Sequence, residues 1–255
     1  MKRNFLTLLA LICLATTALA QNYGITFGEL EVTADNADDI FGDGKAAYKF
    51  EQNALILQEG LDYHLSKNFV TIATGRDFHI RLEGNAEMSA SVECSDNLFI
   101  ETSEPHTLKI TANISGSALK CPNLIVEKNV TLDLLSRNSS SDLHALDCAD
   151  ELTVNDAILY AEVTTARLAV AVQQMTLNEC WLQKPKGGIV NPVEGGICFG
   201  DGIAAKQVRI IVEGFGIEEN DGAQQDKQVQ KIYENGQIVI IKDGKKYNVK
   251  GQQLN

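Results

Sequence analysis

Short runs of alternating apolar and polar residues recur along this chain, separated by polar breaks. Two of them match at an offset of 27 residues: Asn129-Val130-Thr131-Leu132-Asp133-Leu134 and Asp156-Ala157-Ile158-Leu159-Tyr160-Ala161. A period of two is the pattern of a strand buried on one face. Val130, Leu132 and Leu134 therefore point inward, as do Ala157, Leu159 and Ala161, while Thr131, Asp133, Ile158 and Tyr160 point outward. The same 27-residue step separates Cys94, Cys121 and Cys148. Each cysteine precedes an apolar pair, Leu98/Ile100, Leu124/Val126 and Leu152/Val154, and Val172 takes the cysteine's place in the next unit. A fixed step of this size marks a repeat fold, in which each unit buries its apolar face against its neighbours. The repeat region carries no sustained helical stripe, which sets helical repeats aside. A leucine-rich repeat would need a recurring asparagine ladder and a convex helix, and neither recurs. The pattern predicts an all-β fold, a right-handed parallel β-solenoid (β-helix) of about five or six coils.

The repeats do not fill the chain. Residues 1–20 read as a signal peptide: Lys2 and Arg3, an apolar run from residue 5 to 15, then the small-x-small pattern Ala18-Leu19-Ala20. Residues 21–57 form an N-terminal β cap, with strands at Tyr23-Gly24-Ile25-Thr26-Phe27 and Leu30-Glu31-Val32-Thr33 and a hairpin turning at Glu51-Gln52-Asn53. Residues 58–212 hold the solenoid. Residues 213–230 are a polar linker by composition, and residues 231–255 a small three-stranded unit turning at Asn235-Gly236 and Asp243-Gly244. The string Phe-Gly-Asp-Gly-x-Ala-Ala occurs twice, from Phe41 and from Phe199, and is expected to reverse the chain at the two ends of the solenoid.

Charge narrows the list of partners. The chain has 22 Lys and Arg against 34 Asp and Glu, a net charge of −12, and loses two more cations with the leader. Such a surface repels nucleic acid and anionic lipid. After the leader no apolar run is long enough for an integral membrane segment. Five cysteines remain after cleavage, compatible with two disulfides and a free thiol. The repeat instead suggests a structural column of buried thiols at Cys94, Cys121 and Cys148, about 4.8 Å apart between stacked strands.

Two stretches resemble known families. Tyr23-Gly24-Ile25-x-Phe27, Val32-Thr33, Asn36-x-x-Asp39-Ile40, Gly42-Asp43-Gly44, Tyr48 and Leu55-Ile56-Leu57 resemble the opening of secreted bacterial β-helix surface proteins of the carbohydrate-binding-domain-containing type. That resemblance implies a non-catalytic, surface-associated, glycan-binding protein. Asn235-Gly236-Gln237-Ile238, Asp243-Gly244-Lys245-x-Tyr247-Asn248-Val249, Gly251-Gln252 and Leu254 resemble the start of a type IX secretion C-terminal sorting domain, in truncated form. It implies an extracellular or outer-membrane location, with the periplasm as the alternative.

Candidate chemistry is sparse. The histidines, His64, His79, His106 and His144, are scattered singly. No zinc cluster, nucleophile elbow or phosphate-binding glycine loop is present, and no cofactor or metal is expected. Asp35, Asp38, Asp39 and Asp43 offer oxygen ligands for calcium but lack the glycine and distal glutamate of a calcium loop, so a solvated turn is the expectation. A polysaccharide lyase or glycoside hydrolase would need acid–base groupings. Arg76-Asp77, His79-x-Arg81 and the pair Asp133 and Asp156 are the nearest approach, which leaves an enzyme disfavoured.

The outward aromatic residues are more informative. Glu179-Cys180-Trp181-Leu182-Gln183 continues the series with a shorter step, placing Trp181 over Ile158 and Gln183 over Tyr160, beside Asp133. Trp181 is the chain's one tryptophan. Trp181, Tyr160, Asp133 and Gln183 then form the candidate binding site, an aromatic surface that stacks on sugar rings with polar groups beside it. The alternative is that loop 184–192 folds over these rings and buries them. The expected function is a non-enzymatic secreted or cell-surface glycan-binding protein, or else a structural or adhesive protein contacting other proteins through a solenoid face.

Overall fold

The computed structural model describes residues 21–113, 116–137, 140, 143–166 and 168–212, and strand backbones within 229–254. The side chains of residues 65–68 and those beyond residue 212 are outside the described residues, as are residues 1–20, read above as a signal peptide, and residues 213–228 of the polar stretch. Two compact units divide near residue 216. The first is a β-solenoid of about five turns.

An antiparallel cap opens it, formed by β1 (Asn22–Phe27), β2 (Leu30–Thr33) and β3 (Ala46–Lys49). The coils follow, each placing one strand segment on each of three faces. The first face stacks β4 (Ala54–Gln58), β6 (Phe78–Glu83), β8 (Leu98–Thr102), β11 (Leu124–Val126), β14 (Glu151–Asn155) and β17 (Gln174–Asn178), all parallel. On the second are the early parts of β5 (Leu61–Ile72) and β7 (Ala86–Cys94), then β9 (His106–Ala112), β12 (Val130–Ser136) and β15 (Ile158–Val163). The third carries the late parts of β5 and β7, then β10 (Leu119–Cys121), β13 (Leu146–Cys148) and β16 (Val170–Ala171).

The hairpin expected at Glu51-Gln52-Asn53 is present, with β3 antiparallel to β4 across it. Its second strand is also the first rung of the solenoid, because β4 pairs in parallel with β6. The repeat thus begins a few residues earlier than position 58. Both glycine-aspartate-glycine turns lie at ends of the stack, and Ala46 and Ala205 behind them are buried. Three of the four Asp carboxylates of the first turn, those of Asp38, Asp39 and Asp43, bond within the chain. Asp39 accepts the backbone N–H groups of Asp43 (3.1 Å) and Gly44 (2.9 Å), and Asp38 pairs with Lys49 at 2.8 Å.

The inward register matches the alternation. Leu132 pairs with Leu159 and Leu134 with Ala161, all at most 1% exposed. Burying a leucine side chain stabilises by roughly 1.5–3 kcal/mol, and the stack repeats that gain at each coil. Cys121 lies directly opposite Cys148, and Cys94 stands below Cys121 in the same column because Glu93 pairs with Lys120. All five described cysteines are buried, and none of them is in a disulfide. The Cys121 thiol donates to the Cys148 sulfur, which together with burial holds Cys121 well above the ordinary thiol range and lowers Cys148. A shorter ladder runs along one corner. Asn97 Nδ2 donates to Asp77 Oδ1 (2.9 Å) and Asn123 Nδ2 to Asn97 Oδ1 (2.8 Å). This asparagine ladder is not apparent in the sequence because its steps are unequal.

Burial sets an alkaline limit on the fold. It pushes the Cys94 thiol from 9.0 up to about 11 and the Tyr63 phenol from 10.0 up to about 12. Between the ordinary and folded values the native state keeps protons that the unfolded chain has lost, so stability falls as pH rises. The contribution is complete below about pH 9 and is lost through about pH 12. Circular-dichroism melts should therefore show a lower midpoint at pH 11 than at pH 8. A titration in which every tyrosine of the folded protein ionises near pH 10 would contradict this account.

The second unit is an antiparallel sheet of β22 (Val229–Glu234), β23 (Gln237–Lys242), β24 (Lys245–Asn248) and β25 (Gln253–Leu254). It has four strands where three were expected, the extra one being only two residues long.

Candidate functional site

The outer surface of the second face carries the four candidate residues. Thr131 pairs with Ile158 and Asp133 with Tyr160, as the 27-residue step requires. Below them the row through Asp133 continues to Lys109, Glu87 and Asp62. Lys109 bridges to Glu87 at 2.8 Å. Partial burial raises the Asp133 carboxyl above its ordinary value, Lys109 opposes this, and Glu162 and Glu87 add to it. At the lower end a shallow depression of about 360 Å³ opens, lined by Glu59, Asp62, Asn85, Glu87, Thr107 and Lys109 among others.

Above Tyr160 the expected register fails. The strand β18 (Cys180–Lys184) does not stack on β15. Between them lies β21 (Gln207–Val212), antiparallel to both. Trp181 therefore sits opposite Ile211, one strand farther from Ile158 than the shorter step implied. A bulge between Leu182 and Lys184 puts Lys184 opposite Arg209, so Gln183 is not in the row of Asp133 and Tyr160. Gln183 is half-buried, and its Oε1 has no hydrogen-bond partner among the described residues. The chain matches no protein-family model, no curated protein and no solved structure.

The inserted strand changes the chemistry of the face. The Arg209 guanidinium carbon lies 5.0 Å from the Tyr160 ring centroid, and Nη2 donates to the phenol oxygen at 3.3 Å. One side of the tyrosine ring is thus taken by a cation rather than open to a ligand. Trp181 is 36% exposed, so loop 184–192 does not bury it, and Ile211 beside it is only 2% exposed. The surface left by these contacts is an apolar row of Ile158, Ile211 and Trp181 flanked by Arg209, Tyr160 and Asp133. Arg209 was missed from sequence because Val208 and Ile210 alternate identically in a parallel or an antiparallel strand.

Of the acid–base groupings considered for catalysis, Arg76, His79, Arg81 and Asp156 are engaged within the chain. The Arg76 guanidinium lies over the Phe50 ring and donates to the Phe50 carbonyl. Arg81 holds Glu101 through two nitrogens at 3.1 and 2.8 Å, and His79 stacks on Phe99 with centroids 4.8 Å apart. Asp156 occupies a left-handed turn and pairs with Lys128 at 2.8 Å, away from the row of Asp133. Among the described residues no cluster of His, Cys, Asp and Glu could hold a metal ion.

Proposed function

We propose that this chain is an exported, non-enzymatic glycan-binding protein that uses the outer surface of the second solenoid face. One observation carries the reading: the chain's one tryptophan stays exposed at the end of an apolar row, with the Arg209 guanidinium on the adjacent strand and the Asp133 carboxylate three strands away on the same face. An indole offers a flat apolar surface to the C–H face of a sugar ring, and Arg209 and Asp133 supply a donor and an acceptor for hydroxyl groups. The leader-like segment at residues 1–20 and the acidic surface support a place outside the cell, at the outer membrane or beyond it.

Glycan-array binding by the full mature chain tests this. Trp181→Ala should reduce binding at least tenfold while shifting the melting temperature by no more than about 2 °C, as expected for a surface side chain. Equal loss of binding and stability would identify Trp181 as a cover for Ile211 rather than a contact for sugar. A second reading, a protein that adheres to other proteins, is favoured by the exposed Ile189, Val193, Phe199 and Ile203 at the C-terminal end of the solenoid.

A further inference from the structure

The two ends of the solenoid are closed differently. At the N-terminal end, the β3 edge of the first face is covered by the backbone around residues 37–40: Tyr48 donates to Ala37 at 2.6 Å and Ile40 to Ala46 at 2.8 Å. Tyr23, Phe41 and Tyr63 pack over the core at that end. At the other end the caps are uneven. The second face is extended past its last parallel strand by β21 and then β18. The third is extended past β16 by β20 (Gly196–Cys198) and then β19 (Ile189–Asn191). Among the described residues the first face stops at β17. β17 is therefore recessed by one strand from β18 on the second face and by two from β19 on the third, leaving a notch at least about 4.8 Å high.

The notch has hydrogen-bonding groups and an apolar floor. Gln174 donates its N–H to Asp150, and the Asn178 carbonyl accepts from Asp156, so alternate residues of β17 turn their backbone toward β14. Met175 and Leu177 consequently direct theirs toward the open edge. Their side chains, with Leu182 and Val190, are only partly buried against the core, whereas Leu152 and Val154 one coil below are fully buried. No residue of β17 is charged, and the strand has no proline or bulge, the devices by which edges are normally blocked.

We propose that this notch is a strand-addition site for an extended segment of another polypeptide. Its occupant has apolar residues at alternate positions, to cover Met175 and Leu177, and cationic flanks, to suit a chain of net charge −12. A second copy is a poor occupant, because its own β17 is recessed in the same way and β18 and β19 would meet first. The site is separate from the proposed glycan surface and does not depend on it.

The test uses the full mature chain and a fluorescein-labelled heptapeptide, Lys-Val-Thr-Val-Thr-Val-Lys, with the scrambled Lys-Val-Val-Val-Thr-Thr-Lys as control. Anisotropy should show saturable binding at least tenfold tighter than the scramble. Hydrogen exchange at the Met175 and Leu177 amides should be fast in the free protein and slow at least tenfold with peptide. Leu177→Pro removes one donor from the open edge without touching the bonds to β14 and should weaken binding at least tenfold. Thr176→Val, on the outward side, should leave binding unchanged. No saturable binding at about 1 mM peptide, or equal binding of the scramble, overturns the proposal. So do amides already protected in the free protein, as a second copy or another segment would make them. Should Leu177→Pro fail to fold, the exchange result on the native chain decides.

Discussion

Replacing Asn53 with alanine is expected to destabilise the solenoid by about 3–5 kcal/mol. Asn53 ends the turn of the cap hairpin in the left-handed conformation, φ 47 and ψ 46, which asparagine adopts more easily than alanine. It is 3% exposed and fully engaged. Its Oδ1 accepts from the Tyr48 hydroxyl at 2.6 Å, and its Nδ2 donates to Thr74 Oγ1 at 2.8 Å and to the Asp77 carbonyl at 2.7 Å. Its own carbonyl receives the His79 N–H at 3.0 Å. One side chain thus joins the cap to the corner of the next coil. Alanine leaves the buried Tyr48 hydroxyl and the Asp77 carbonyl without that partner, at about 1–3 kcal/mol per orphaned group, and adds the strain of the left-handed turn. Asn53→Gly relieves the strain but not the orphaned groups, so it should fall about 1 kcal/mol short of the alanine loss. Urea midpoints of the three proteins measure both parts. A loss under about 1 kcal/mol for alanine would mean that water replaces the side chain and that the cap is not held at this point.

The sequence was most legible where the coil length is constant. Cys121 and Cys148, Leu119 and Leu146, and Thr131 and Ile158 are all Cα partners across the 27-residue step. Parallel neighbours share one interior, so equal spacing and equal side-chain type coincide. Legibility fades where the coil length changes. Phe78, Leu98, Leu124, Leu152 and Met175 form one column although their intervals differ, because corner turns absorb or add residues without disturbing the strands. It is lost at the C-terminal end. Alternation tells which face of a strand is buried but not which strand lies beside it or in which direction that strand runs. The reversal after β20 was visible as a glycine-aspartate-glycine turn, yet nothing in the alternation showed that β21 would enter between β15 and β18. The proposed sugar surface therefore kept Asp133, Tyr160 and Trp181 on one face, lost Gln183 from the row, and gained Arg209.

Gly84→Ala is expected to cost about 2–4 kcal/mol, and the reason is space rather than backbone freedom. Gly84 follows β6 at the corner between the first and second faces. A Cβ there would lie 2.3 Å from the Glu59 nitrogen and 2.4 Å from its Cα, in the coil below. Neither atom is free to retreat. On one side Gln58 pairs with Glu83, and on the other Leu61 pairs with Ala86. Across the corner itself Gly60 donates to the Asn85 carbonyl at 3.0 Å, and the Asn85 N–H donates to Glu59 Oε2 at 2.7 Å. Relieving the contact means opening the corner and straining those bonds together. Gly75→Ala provides the comparison, since Gly75 has φ 76 and nothing within 4 Å of the added carbon. That variant should lose only the left-handed penalty of about 1–2 kcal/mol. Denaturation midpoints that rank Gly84→Ala as the more damaging change would fix inter-coil contact as the limit at this corner. The reverse order would mean that the coils separate here readily, and the depression beside Lys109, whose lining includes Glu59 and Asn85, would then be a mobile surface rather than a formed one.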